Sequence, residues 1–146
     1  MRRTTRSFAS LITVLGVALA ACGEEAADAA PGAEAVSVTE IEDSDLHRVT
    51  LSESAAARLG VETVAVTEGS GGRLLIPYSA LLYDAAGATW TYTNLDDRVF
   101  VREQVEVELI DGDVVQLTVG PEPGTTVVTV GAAELWGAET GVGGGH

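Results

Sequence analysis

Apolar and polar positions change their rhythm twice along the chain. Leu11 to Ala20 is an apolar run of about ten residues, too short for the roughly 20-residue helix that spans a bilayer. Residues 23–45 then carry few large apolar side chains. From about residue 46 short alternating segments set in. His47–Leu51 alternates and predicts a strand. Ser52 is placed to cap a short helix through Ala55–Leu59, and Gly60 to end it. Val61, Val64 and Val66 populate a strand over 61–67, broken by Glu68-Gly69-Ser70-Gly71-Gly72. Leu74–Pro77 is a short extended run, followed by a helical turn at Tyr78–Leu82. Asp84 to Gly87 turns the chain into Thr89–Thr93, with aromatics on one face and threonines on the other. Leu95–Asp97 reads as a hairpin loop.

The clearest alternation comes next. Val99, Val101, Val105, Val107 and Leu109 fall on one face, and Arg102, Gln104, Glu106 and Glu108 on the other, as in a half-buried antiparallel strand. Asp111-Gly112 turns this strand into Val115, Leu117 and Val119. Gly120-Pro121-Glu122-Pro123-Gly124 breaks the pattern before a last strand, Thr126–Val130. One helical turn at Gly131–Leu135 closes the domain, and Gly141–His146 frays. About seven short strands predict an all-β fold, a small antiparallel β-barrel-like domain with one short helix.

Charge sets the remaining boundaries. Arg2, Arg3 and Arg6 precede the first apolar run and Ala20-Ala21 follow it, the layout of a secretory signal peptide. Leu19-Ala20-Ala21-Cys22 resembles the bacterial lipobox. That resemblance implies cleavage between Ala21 and Cys22 and a diacylglycerol thioether on Cys22, the only cysteine of the chain. Removing residues 1–21 leaves five arginines against 22 acids, a net charge of −17 compared with −14 for the whole chain. Residues 23–45 hold eight of those acids and no base. Such a stretch buries too little to offset its ordering entropy, so 22–45 is expected to be a disordered acidic tether. The domain then runs over 46–141, and 142–146 is a flexible tail.

This charge opposes phosphate backbones, so nucleic acid is excluded as a partner. One cysteine excludes an internal disulfide and a cysteine-built zinc site. Candidate chemistry is thin. Ser79 sits in Pro77-Tyr78-Ser79-Ala80, outside any nucleophile-elbow pattern, with no histidine placed to activate it. Glu106 and Glu108 share a strand face that reads as solvated. Asp111 and Asp113 flank a turn glycine, where aspartate is favoured for backbone reasons. His146 ends a glycine-rich tail with no second ligand nearby, and His47 is the only other histidine. Trp90, Tyr92 and Trp136 read as core or barrel-rim residues. Met1 is the sole methionine, against a thioether copper site. The expectation is a non-enzymatic protein with no catalytic residue, metal or cofactor.

Three ordered stretches resemble the periplasmic adaptor subunits (membrane fusion proteins) of RND-type efflux pumps. Leu51 to Val66 resembles the family's entry strand, short helix and first barrel strand. Ile76-Pro-Tyr-Ser-Ala-Leu-Leu-Tyr-Asp84, with Gly87 and Trp90-Thr-Tyr92, resembles the passage into the membrane-proximal domain. Phe100-Val-Arg102, Val105-Glu-Val107, Gly112-Asp-Val-Val115, Gly120–Gly124 and Val127 to Leu135 resemble that domain's final strands. A complete adaptor carries two lipoyl-like half-motifs and a long helical hairpin between the first two stretches. Here Thr67–Arg73 stands in their place. Leu109 occupies a position where the family often has glycine, and Pro121 one where it often has leucine.

The resemblance implies a truncated membrane-proximal β domain, lipid-anchored on the extracytoplasmic side of the cell membrane (periplasmic in a cell with two membranes). Its implied partner is an inner-membrane transporter or a full-length adaptor, met through a polar barrel rim. The alternative is a stand-alone lipoprotein that binds a small ligand or cation.

Overall fold

A computed structural model describes residues 35–141. The signal segment 1–21, the Ala21-Cys22 cleavage and lipid site, the start of the expected tether and the tail with His146 lie outside the described residues. The elements run β1 (Val36–Glu40), β2 (His47–Leu51), α1 (Glu53–Leu59), β3 (Glu62–Ala65), β4 (Thr67–Glu68), β5 (Leu74–Pro77), β6 (Leu82–Tyr83), β7 (Thr89–Asp96), β8 (Val99–Asp111), β9 (Val114–Val119), β10 (Thr126–Val130) and α2 (Ala132–Glu139). Ser70–Gly72 and Tyr78–Ala80 form 3-10 turns. Among the described residues no helix is long and apolar enough to cross a membrane.

Local chemistry fixes the first helix where the spacing places it. Ser52 Oγ accepts from the Ala55 N–H at 3.2 Å, and Gly60, at φ 61°, donates back to the Ala56 carbonyl. Glu53 in the first turn and Arg58 in the last complement the helix dipole.

The strands pair antiparallel throughout. They follow the path β3-β10-β7-β8-β9-β5-β4, with β2 added to β8, β1 to β2 and β6 to β7. The two ends of the path, β3 and β4, are separated in sequence only by Val66. The sheet therefore curls into a nearly closed barrel. Val66 seals the closure: its N–H donates to the Thr125 carbonyl and its own carbonyl accepts from the Gly124 N–H, both at 2.8 Å.

Two apolar cores lie on opposite sides of the same strands. Val66, Ile76, Ala80, Leu81, Val105, Val115, Leu117 and Val127 fill the barrel. Val49, Leu51, Ala55, Tyr92, Phe100, Val128, Ala132 and Leu135 pack between the outer face of the sheet and the two helices. Val127 and Val128 are neighbours in sequence, both fully buried, one in each core. A strand covered on both faces reads as a continuous apolar run, which blurs the two-residue period.

Several expectations are corrected here. The tether does not extend to residue 45, because Val36–Glu40 is β1, registered from Val36↔Leu51 to Glu40↔His47. The acids of the segment obscured three β-branched residues, Val36, Val38 and Thr39, and a pairing that Val36 completes by packing on the outer core. The described residues form two helices rather than one: the closing turn continues to Glu139 because Ala132 and Leu135 are buried beneath it. The described residues form ten strands rather than about seven, since β1 and the two-residue β6 carry no clear sequence pattern and the 61–67 segment splits at Val66. The Leu95–Asp97 loop is shorter than expected. β7 continues to Asp96, and the turn is carried by Asp97-Arg98, with Arg98 at φ 58°.

The valine face of β8 holds at Val101 and Val105 but not at Leu109, which is 50% exposed. Pairing with β9 slips on either side of Val107, and each slip reverses which side chains face the barrel. Thr91 and Thr93 are also buried, so Thr89–Thr93 has no solvated face at its centre. The Asp111-Gly112 turn stands as expected, with Asp111↔Val114 closing the hairpin.

Candidate functional site

Register brings together residues that lie far apart in sequence. Tyr92 pairs with Arg102, and Trp90 with Gln104, so Trp90, Tyr92 and Arg102 share the outer face of the β7–β8 ladder. Helix α2 covers that face. Its Trp136 and Glu139 are three residues apart and so lie on one side of the helix. The Arg102 guanidinium lies between two indoles, 4.5 Å from the Trp90 centroid and 5.0 Å from that of Trp136.

Glu139 is the centre of the cluster. Its side chain is only 2% exposed. Tyr92 OH donates to Oε2 at 2.5 Å, Arg102 Nε lies 2.9 Å from Oε1, and His47 Nδ1 lies 3.5 Å from the same oxygen. The Arg102 Nε–H is not aimed at Oε1, so this contact is an ion pair rather than a directed hydrogen bond. Burial first, and then the bond to Glu139, push the Tyr92 phenol far above its ordinary range. Trp90 is held from its other edge: its Nε1–H donates to Asp84 Oδ2 at 3.0 Å. Asp84 Oδ1 accepts from the Ala86 and Ala88 N–H groups at 2.9 and 2.8 Å. The Trp90 bond, and then the Ala88 bond, hold the Asp84 carboxyl below the usual carboxylate range.

This arrangement carries a cation in an aromatic slot, but the cation is the protein's own Arg102. A buried carboxylate with an arginine and a phenol around it is an ion-pair anchor for α2, not a nucleophile with its base. Beside it opens a pocket of about 490 Å³ whose walls include Asp45, Leu46, Trp90, Arg102 and Glu103. Burial and then the charge of Glu122 raise the Glu103 carboxyl above its ordinary range.

The residues singled out in the sequence scatter otherwise. Ser79 is exposed in a 3-10 turn. Glu106 and Glu108 are exposed as expected, but Glu108 forms a two-point pair with Arg73, which holds the Glu108 carboxyl down. Asp111 and Asp113 flank Gly112 in the open. Among the described residues no group of three or more His, Cys, Asp or Glu side chains could hold a metal ion. Trp90, Tyr92 and Trp136 come together, while Arg102, Glu139 and His47 are the partners that sequence reasoning missed. The available signal was Arg102 itself, a charge set among the buried positions of the longest strand, and the Trp136/Glu139 spacing.

Comparisons with known protein families, with curated proteins and with solved structures return no match to this chain.

Proposed function

We propose that the protein is a lipid-anchored, extracytoplasmic, adaptor-like accessory of an efflux transporter in the same membrane, with a non-enzymatic role. The observation that carries this reading is the order of its elements. A strand, a capped helix, the first barrel strands, a passage through Tyr78–Ala80 and a final run of barrel strands succeed one another as in the adaptor stretches that the sequence resembles. Where an adaptor would carry its helical hairpin, β4 passes to β5 through the single turn Ser70–Gly72. Without that hairpin the domain would act as a short collar, or beside a full-length adaptor. The lipobox at Leu19–Cys22 supports anchoring, since two or more acyl chains hold a protein to a membrane where one does so marginally. Anchoring raises the effective concentration at a transporter, so a weak interface suffices.

Crosslinking in intact cells followed by pull-down on a C-terminal tag tests the reading. Recovery of a transporter or a full-length adaptor is expected. Recovery of neither, with unchanged drug and metal susceptibility on deletion, overturns it. One observation favours the second reading, a stand-alone binder of a small ligand or cation: the pocket beside Trp90 is lined by the half-buried Glu103, whose carboxyl has no hydrogen-bond or ion-pair partner among the described residues.

A further inference from the structure

The barrel is not sealed along its whole length, and the unsealed part has the character of a strand-binding site. Strand β3 is hydrogen-bonded to β10 on one side, and among the described residues no strand pairs with its other edge. All four of its residues, Glu62 to Ala65, are exposed. Across from it, β5 pairs with β4 only through Leu74 and Leu75, so the outer edge of Ile76 and Pro77 is also unpaired. Val66 is the apex where the two sides meet. The result is a notch of about 210 Å³ between β3 and β5, whose apolar walls are Val64, Ala65, Leu75, Ile76, Pro77 and Val114.

Exposed edges in soluble proteins are usually blunted by lysine, proline or a covering loop. Edge β3 has none of these and is rich in β-branched residues. Three acids stand close to it: Glu62 at its start, Glu68 beyond the apex, and Asp113 in the notch wall. Of the two arginines nearest in sequence, Arg58 lies at the end of α1, and Arg73 is already paired with Glu108.

We propose that β3 and the notch accept an extended peptide segment of a partner protein, one that alternates apolar and basic residues, by strand addition. The backbone edge supplies main-chain hydrogen bonds, the notch takes an apolar side chain, and the acids take the basic ones. A second copy of this chain is disfavoured as occupant, because its net charge of −14 repels its own kind and its free edge carries the same acids. The inference rests on the accessory reading only for the statement that the partner is a protein of the membrane assembly. The notch itself is independent of it.

Hydrogen exchange on the full chain, in nanodiscs of neutral phosphatidylcholine, tests this. The probes are an acetylated Lys-Val-Lys-Val-Lys peptide and its Glu-Val counterpart. The basic peptide should slow exchange at Glu62–Ala65 by about ten-fold or more, an effect lost in high salt and reduced by Asp113→Lys and by Val64→Ser. Both positions are exposed, so both variants should fold. No slowing by the basic peptide overturns the proposal, as does equal slowing by the acidic one. Slow exchange at β3 in the nanodisc without peptide assigns the notch to lipid and also overturns it. Because no cell or transporter is involved, failure here is separable from failure of the crosslinking experiment.

Discussion

The two faces of the β7–β8 ladder are built on opposite principles. Toward the barrel, β8 presents Val101 and Val105, which lie beside small branched side chains such as Val127 of β10, and the one charge on that face, Glu103 opposite Thr91, is only half buried. Toward α2, the same strands present Trp90, Tyr92 and Arg102 to a buried carboxylate. The barrel core holds no charge because nothing inside could pair with it, and Glu103 keeps its carboxyl partly in solvent. The outer face carries charge because a helix supplies the partner and the indoles shield it. Burial alone therefore does not distinguish the two sides; the supply of partners does.

Charging the inner face should do the most damage. Val105→Asp puts an unpaired carboxylate among Ile76, Val115 and Leu117, and a loss of about 4 kcal/mol or more is expected from chemical denaturation. A loss of less than about 1 kcal/mol would show that the inner face admits water. Breaking the outer cluster should come next. Glu139→Ala leaves the Arg102 charge and the Tyr92 hydroxyl without their buried partner, for an expected loss of about 3 kcal/mol. Replacing Tyr92 with Phe as well should then cost little more, because its bond is already gone. Full additivity in that double-mutant cycle would mean that Tyr92 and Glu139 do not interact.

Two smaller effects depend on pH with opposite signs. The Asp84 carboxyl is held below its ordinary range, so its stabilisation is present above that range and fades as pH falls through the lowered value. Asp84→Ala should therefore lower the melting temperature at neutral pH, and the gap from wild type should close in strong acid. Glu103 is shifted upward, so the native state is penalised once pH rises through the raised value. Glu103→Gln should match wild type in acid and exceed it at neutral pH, by well under about 1 kcal/mol because the group is partly solvated. A stability gap that does not change with pH would refute the assignment for either residue.

The inner face was largely legible in the sequence, and the outer face was not. Alternation alone located Val105, Val115 and Leu117, and the Asp111-Gly112 turn set their hairpin. The capped helix was legible because Ser52 and Gly60 act within a few residues of themselves. Strand β1 was hidden because its pairing, not its composition, makes it a strand. The Arg102–Glu139 pair was hidden for a similar reason, since it joins a strand to a helix more than thirty residues later. Nothing local to Glu139 distinguishes it from the exposed Glu134 of the same helix. Register and docking decide such contacts, and neither is written in a short window.

Closure at Val66 also governs when the domain can form. Strand β3 finds its partner in β10, with Ala65 opposite Thr126, about 60 residues further along the chain. The helix that covers the outer face comes later still. Loop-closure entropy must be overcome before those distant contacts are gained, so folding is expected to be slow and to wait for the final strand. A chain emerging N-terminus first would remain open until nearly all of it had appeared. Under the export proposed above this would be useful timing, because threading through a membrane requires an unfolded chain and the barrel cannot shut before the last segment is free.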